Sequence, residues 1–138
     1  MIAVATRDPE LAKLLRKSID DEVEFIAHAD DPKSLRHEIH NIQPSVVIID
    51  ARFGAQDYRA FLAIPRIVGV RSKPQTIALM PWFSQRCYEE VLKMGAFEAL
   101  DITSEDFSTE IARVVELAER ERTSRLRRQV DDDPVTLH

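Results

Sequence analysis

The sequence is poor in cysteine, glycine and long apolar runs, and each shortage excludes something. Cys87 is the only cysteine among 138 residues. No internal disulfide and no multi-cysteine metal site is therefore available, a reducing compartment is expected, and the thiol reads as a small buried hydrophobe. Only Gly54, Gly69 and Gly95 are present, too scattered to build a glycine-rich phosphate loop. No apolar stretch approaches the roughly 20 residues that span a bilayer. The start "MIAVATRDPE" also lacks the basic flank and apolar core of a signal peptide, so a cytoplasmic protein is expected. A net charge of -5 argues against nucleic-acid binding by the body of the domain. With 44% hydrophobic residues, a chain of this length suits one core rather than two.

What is present alternates between apolar runs and helix-periodic segments. "IAVAT" (2–6) reads as a strand covered on both faces. Asp8, Pro9 and Glu10 then start a helix, along which Leu11, Leu14, Leu15 and Ile19 lay one apolar stripe. "VEFIAHA" (23–29) reads as a second strand, and the next Asp-Pro start leads a helix with Leu35, Ile39 and Ile42 on one face. "SVVIID" is the third strand; Tyr58, Phe61 and Leu62 mark a shorter helix that Pro65 stops or kinks. "TIALM" (76–80) is the fourth. Ser84 caps a helix with Cys87, Tyr88, Val91 and Leu92 inward, and Gly95 stands where a left-handed residue is wanted. "AFEALDI" is a weaker fifth strand. A last helix from Thr103 or Ser104 carries Phe107, Ile111, Val114, Val115 and Ala118. Five strand-helix units in strict alternation imply an α/β fold with a doubly wound parallel sheet.

In such a sheet, reacting groups gather beyond the carboxyl ends of the strands, which is where Asp50 closes the third strand. "DPEL" after the first strand, the acid ending "VVIID" and the segment "KMGAFEALDI" together resemble the receiver domains of bacterial two-component response regulators. The resemblance covers about residues 1–118 and extends to spacing, with 30 residues from Asp50 to Met80 and 52 from Asp50 to Ile102. It implies a flavodoxin-like sheet of order 2-1-3-4-5, with Asp50 at the phosphoacceptor position. It also implies two metal-binding acids at positions that here hold Thr6 and Arg7. A hydroxyl residue is implied where Met80 stands, a lysine where Ile102 stands, followed by a proline where Thr103 stands, and an aromatic switch residue where Ala99 stands. Only Asp50 keeps the family's side chain.

That substitution pattern sets the functional expectation. Acyl-phosphate formation depends on stabilising developing charge, chiefly through metal and lysine. Mg²⁺ requires oxygen ligands, and an arginine in place of one opposes a cation by about 4 kcal/mol per contact at about 4 Å and an effective dielectric near 20. Two readings of Asp50 stand. Either Arg7 forks onto its carboxylate in place of the metal, or Arg7 faces solvent and Asp50 is a hydrated strand-end acid. Asp8 and Asp50, with Asp101 near the crevice, remain as weak candidate cation ligands. His37 and His40, three apart on the second helix, read as surface histidines.

Trp82 and Phe83 sit in the loop after the fourth strand, either as an aromatic anchor for a partner or folded over the domain. Beyond residue 118 the helix continues through 119–138 as an extension and a linker or disordered tail. Glu116 to Arg120 and Glu121 to Arg125 have favourable helical spacing. Leu126 and Val130 extend a weak seam from Val115, Ala118 and Arg122, a hint of dimerisation. The expectation is an atypical, non-enzymatic receiver acting by protein contact or as a homodimer, with no cofactor. The alternative is a working phosphoacceptor that needs Mg²⁺, is phosphorylated on Asp50 by a sensor kinase and controls an output such as transcription. A third reading, a nucleotide- or metabolite-binding flavodoxin-like domain, lacks the phosphate loop.

Overall fold

The computed structural model describes residues 1–29, 31–54, 59–67 and 69–132. Its centre is β3 (Val46–Asp50), all five residues of which are buried. Successive side chains of a strand point to opposite faces. Val47 and Ile49 therefore enter one core with Leu35, Ile39, Phe61 and Ile67, while Val46 and Ile48 enter a second with Leu11, Leu15, Phe107 and Ile111. Helices cover both faces, which is why the sequence of this strand shows a continuous apolar run and no alternation.

β1 (Ile2–Ala5), β2 (Val23–Ile26), β4 (Gln75–Met80) and β5 (Glu98–Asp101) complete the sheet. All pairs are parallel and the order is β2-β1-β3-β4-β5, as the resemblance implied. Register places Asp50 beside Leu79 and Met80 beside Asp101, so the ends of β3, β4 and β5 meet at one edge of the sheet.

The helices follow their caps. In α1 (Pro9–Ser18) the Asp8 carboxylate accepts from the N–H groups of Glu10 and Leu11 at 3.0 and 3.3 Å, an arrangement worth about 1 kcal/mol. Its buried stripe is Leu11, Leu15 and Ile19; Leu14, expected within it, is 38% exposed because it sits to one side of the contact. α2 (Pro32–Ile42) is capped by Asp31 and buries Leu35 and Ile39, with Ile42 half-buried. Between β3 and β4 the chain forms two 3₁₀ turns, Ala51–Gly54 and Arg59–Ala63, and a single helical turn, α3 (Ile64–Ile67). Pro65 lies second in α3, so it helps to start a turn where it was expected to stop one; its missing N–H is unneeded there. Tyr58 lies outside the described residues.

α4 (Gln85–Lys93) is capped by Ser84, and Gly95 after it has φ 115°, a conformation that strains other residues. α5 (Phe107–Asp132) starts later than expected. The Asp101 carboxylate accepts from both the N–H and the hydroxyl of Thr103, at 2.9 and 2.6 Å, holding that stretch in a turn. Phe107, Ile111, Val114, Val115 and Ala118 are all buried. The helix runs on without a break, with Glu116–Arg120 and Glu121–Arg125 ion pairs on its surface.

At the opposite edge of the sheet, Ser45 donates to Glu119, whose carboxyl is pushed up by burial and by the Asp21 carboxylate beside it. A group whose folded pKa is raised favours the fold below its unfolded value and loses that contribution as pH rises through the folded one. Glu119→Gln is accordingly expected to raise the melting temperature at pH 7 and to match the parent below about pH 4, as read by thermal denaturation across pH.

Candidate functional site

Asp50 ends β3 with its side chain 1% exposed, yet a carboxylate in such a place needs its oxygens satisfied. The 3₁₀ turn that follows supplies the partner. Arg52 lies two residues on, and the turn returns its backbone N–H to Asp50 Oδ1 at 3.0 Å. The same turn lays the guanidinium across both carboxylate oxygens, Nε to Oδ1 and Nη2 to Oδ2, each at 3.1 Å. Thr6, just past β1, donates its hydroxyl to Oδ2 at 2.8 Å and accepts the N–H of Asp8 at 3.1 Å. Asp50 thus accepts four hydrogen bonds, which fills the capacity of an ionised carboxylate.

Arg52 also donates to Asp8 Oδ2 at 3.1 Å, so one guanidinium bridges the two acids. Its pKa is raised, first by the hydrogen bond to Asp50, against the desolvation it suffers. For Asp8, burial pushes upward, but the N–H groups of Leu11 and Glu10 and the Arg52 guanidinium outweigh it and hold the carboxyl below its ordinary value.

Of the two readings of Asp50, the Arg7–Asp50 pair does not form, and the hydrated strand-end acid is not found either, because the carboxylate is buried. Successive residues of an extended segment face opposite ways. With Thr6 turned to Asp50, Arg7 turns away, and its guanidinium lies over the Phe53 ring, 5.5 Å from the centroid. A positive side chain does neutralise Asp50, but it comes from the turn after β3. Sequence reasoning passed over Arg52; its signal was an arginine two places past a strand-end aspartate, the spacing at which an Asx turn folds back.

The other positions carry no replacement chemistry. Met80 is buried in the core with Phe53, Phe61 and Val91, and Ala99 lies in that same cluster. Ile102 packs, partly buried, against the second core, and its N–H donates to the Met80 carbonyl at 2.9 Å. Asp101 is engaged with Thr103. His37 and His40 are exposed on α2, with His40 beside Gln43 at 3.4 Å. No group of three His, Cys, Asp or Glu able to hold a metal occurs among the described residues. The Mg²⁺ that the fold resemblance implies does not fit these side chains, because the place between Asp8 and Asp50 is spanned by a fixed cation and Thr6 is committed to Asp50. Trp82 and Phe83 are 49% and 60% exposed in the loop after β4, and Phe83 leans on Tyr88 with ring centroids 6.4 Å apart.

No family model and no curated protein sequence matches the chain. Solved structures do. A CheY-like response regulator receiver domain protein from Methanospirillum hungatei superposes with a TM-score of 0.72 at 13% identity, covering 90% of this chain and 96% of that one. The signal receiver domain of a DNA binding response regulator from Colwellia psychrerythraea gives 0.61 at 18% identity, covering 83% and 97%. An orphan response regulator of H. pylori gives 0.65 at 14% identity, covering 86% and 94%. The chain has the receiver fold. No helix among the described residues is long and apolar enough to cross a membrane.

Proposed function

We propose that this chain is a signalling module of the receiver type whose phosphoacceptor pocket is closed by its own arginine and which acts through protein contact. The observation that carries the reading is the saturated Asp50 carboxylate, held by the Arg52 fork and the Thr6 hydroxyl. An oxygen that attacks phosphorus must free a lone pair, and here each is engaged by a donor. The metal that would draw a phosphoryl donor in is opposed by a guanidinium, and Met80 and Ile102 offer neither hydroxyl nor ammonium to the transferred group. Loss of the reaction leaves the surface available. The exposed Trp82 and Phe83 beside that edge suit a partner protein, and the outer stripe of α5 suits a second copy. A cytoplasmic setting, upstream of an output domain or partner, agrees with this reading.

The test uses the single tryptophan. The full chain is titrated with Mg²⁺ and beryllofluoride while Trp82 emission is followed, and its mass is measured after incubation with acetyl phosphate. Flat emission and an unchanged mass are expected. A saturable change together with a phosphoryl adduct lost in Asp50→Asn would replace this reading by that of a working phosphoacceptor served by a sensor kinase.

A further inference from the structure

We propose that a cavity at the end of the sheet away from Asp50 binds a small organic anion, a carboxylate or phosphate ester on an apolar body. The cavity has a volume of about 340 Å³ and lies between the start of β4 and the second half of α5, lined chiefly by Lys73, Gln75, Thr76, Arg122, Leu126 and Gln129. That volume falls in the range of small-molecule sites.

Among the described residues, two of its three cations are uncompensated. Lys73 donates its ammonium to Gln129 Oε1 at 2.7 Å, and Arg122 donates through Nε and Nη2 to the Ser72 carbonyl at 3.0 and 2.9 Å. Both acceptors are neutral. Among the described residues neither cation has a carboxylate partner, whereas Arg125, the third cation of the lining, is paired with Glu121, and Arg120 nearby with Glu116. In a chain of net charge -5, a concave wall with two unneutralised cations and no acid is a departure that an anion would complete. The tethers also fix both cations in advance, so little ordering remains to be done on binding.

The adjoining loop keeps two further departures from ordinary packing. Ser72 Oγ is buried without a hydrogen-bond partner, and Lys73 is held at φ 49°, in the left-handed region. Unsatisfied groups and positive-φ residues of this kind concentrate where a loop serves a ligand. Leu126 and Pro74 give the same cavity an apolar side, which is why the expected ligand is organic and not a bare ion.

The full chain, isotopically labelled, is titrated with phenyl phosphate and with benzoate, and in parallel with benzyl alcohol and with inorganic phosphate. Saturable shifts are expected at the amides of Lys73, Thr76 and Gln129 and at the Arg122 Nε–H. The stronger of the two aromatic anions identifies the acid group. Lys73→Gln, which leaves the core untouched, should weaken binding about tenfold, as the loss of one charge-assisted contact would. Arg122→Gln serves as a second variant if its melting curve shows it folded. The proposal is overturned if neither aromatic anion gives a saturable shift at millimolar concentration, or if benzyl alcohol binds equally well. It is overturned too if inorganic phosphate alone binds as tightly, or if Lys73→Gln binds like the parent.

Discussion

Arg52→Met is expected to lower the unfolding free energy by about 1–3 kcal/mol at neutral pH, measured by urea denaturation. Removing one member of a fully buried ion pair costs about 3–5 kcal/mol. The Asp50 end of this pair meets that description at 1% exposure, but the arginine end is 43% exposed, so solvent screening reduces the figure. The stranded carboxylate keeps only the Thr6 hydroxyl and one backbone N–H. Asp50→Asn is expected to cost less, about 1 kcal/mol, because the guanidinium left behind reaches water and Asp8. The double variant should be more stable than the sum of the two losses implies, since each single change leaves the other partner uncompensated. Arg52→Lys should behave more like the methionine variant than like the parent, because an ammonium cannot span both oxygens. Acid adds a second reading of the same pair. Asp8 has a lowered pKa, so it contributes stability above its unfolded value that is lost as pH falls through the folded one. Arg52→Met should shrink that loss without abolishing it, because the N–H groups of Leu11 and Glu10 still hold Asp8. A methionine variant as stable as the parent would remove the ion pair from the account of this pocket.

Combining Thr6→Asp with Arg52→Met is expected to give a pocket that binds Mg²⁺ more tightly than the parent's. The change removes the cation that bridges Asp8 and Asp50 and adds a third carboxylate where a hydroxyl now donates to Asp50. Hard divalent ions are held by carboxylates of this kind, and without metal the three acids repel one another. The double variant should therefore be less stable than the parent in chelator and gain stability on adding Mg²⁺, by the linkage between binding and folding. Trp82 emission should titrate in the millimolar range, at least about tenfold tighter than any response of the parent, corresponding to about 1.4 kcal/mol or more. Phosphorylation by acetyl phosphate should still be slow, because Met80 and Ile102 are unchanged; adding Ile102→Lys is the step that tests this. If the double variant ignores Mg²⁺, the guanidinium is not what excludes the ion.

The parts of this molecule legible in its sequence are those governed by short-range rules. The run Val46–Ile49 is apolar throughout because two helical layers cover it, and Asp8, Asp31 and Ser84 announced their helices because a short polar side chain before a helix can accept the first free N–H groups. The position of Asp50 at the carboxyl edge of the sheet followed from its place as the last residue of the third strand in a parallel sheet. What the sequence concealed depends on where a turn aims a side chain. Arg7 was the arginine nearer the family's metal position, yet the alternation of an extended segment turns it to Phe53 once Thr6 has faced Asp50. Arg52 acts because a 3₁₀ turn, with no apolar periodicity to advertise it, folds back on the strand end. The late start of α5 has a similar origin, since Asp101 captures Thr103 in a turn before the helix can begin. Leu14 matched the helical period and is still half in solvent, because periodicity gives a face and not the width of what covers it.

The continuous α5 is moored to the loop before β4 twice, by Arg122 on the Ser72 carbonyl and by Gln129 on Lys73. These points lie seven residues apart, about 10 Å along a helix axis. One tie would act as a swivel; two, nearly in line, forbid the rod from rolling. The azimuth of the outer ridge through Thr123, Arg127 and Val130 is thereby locked to the sheet, and anything gripping that ridge would meet a fixed heading.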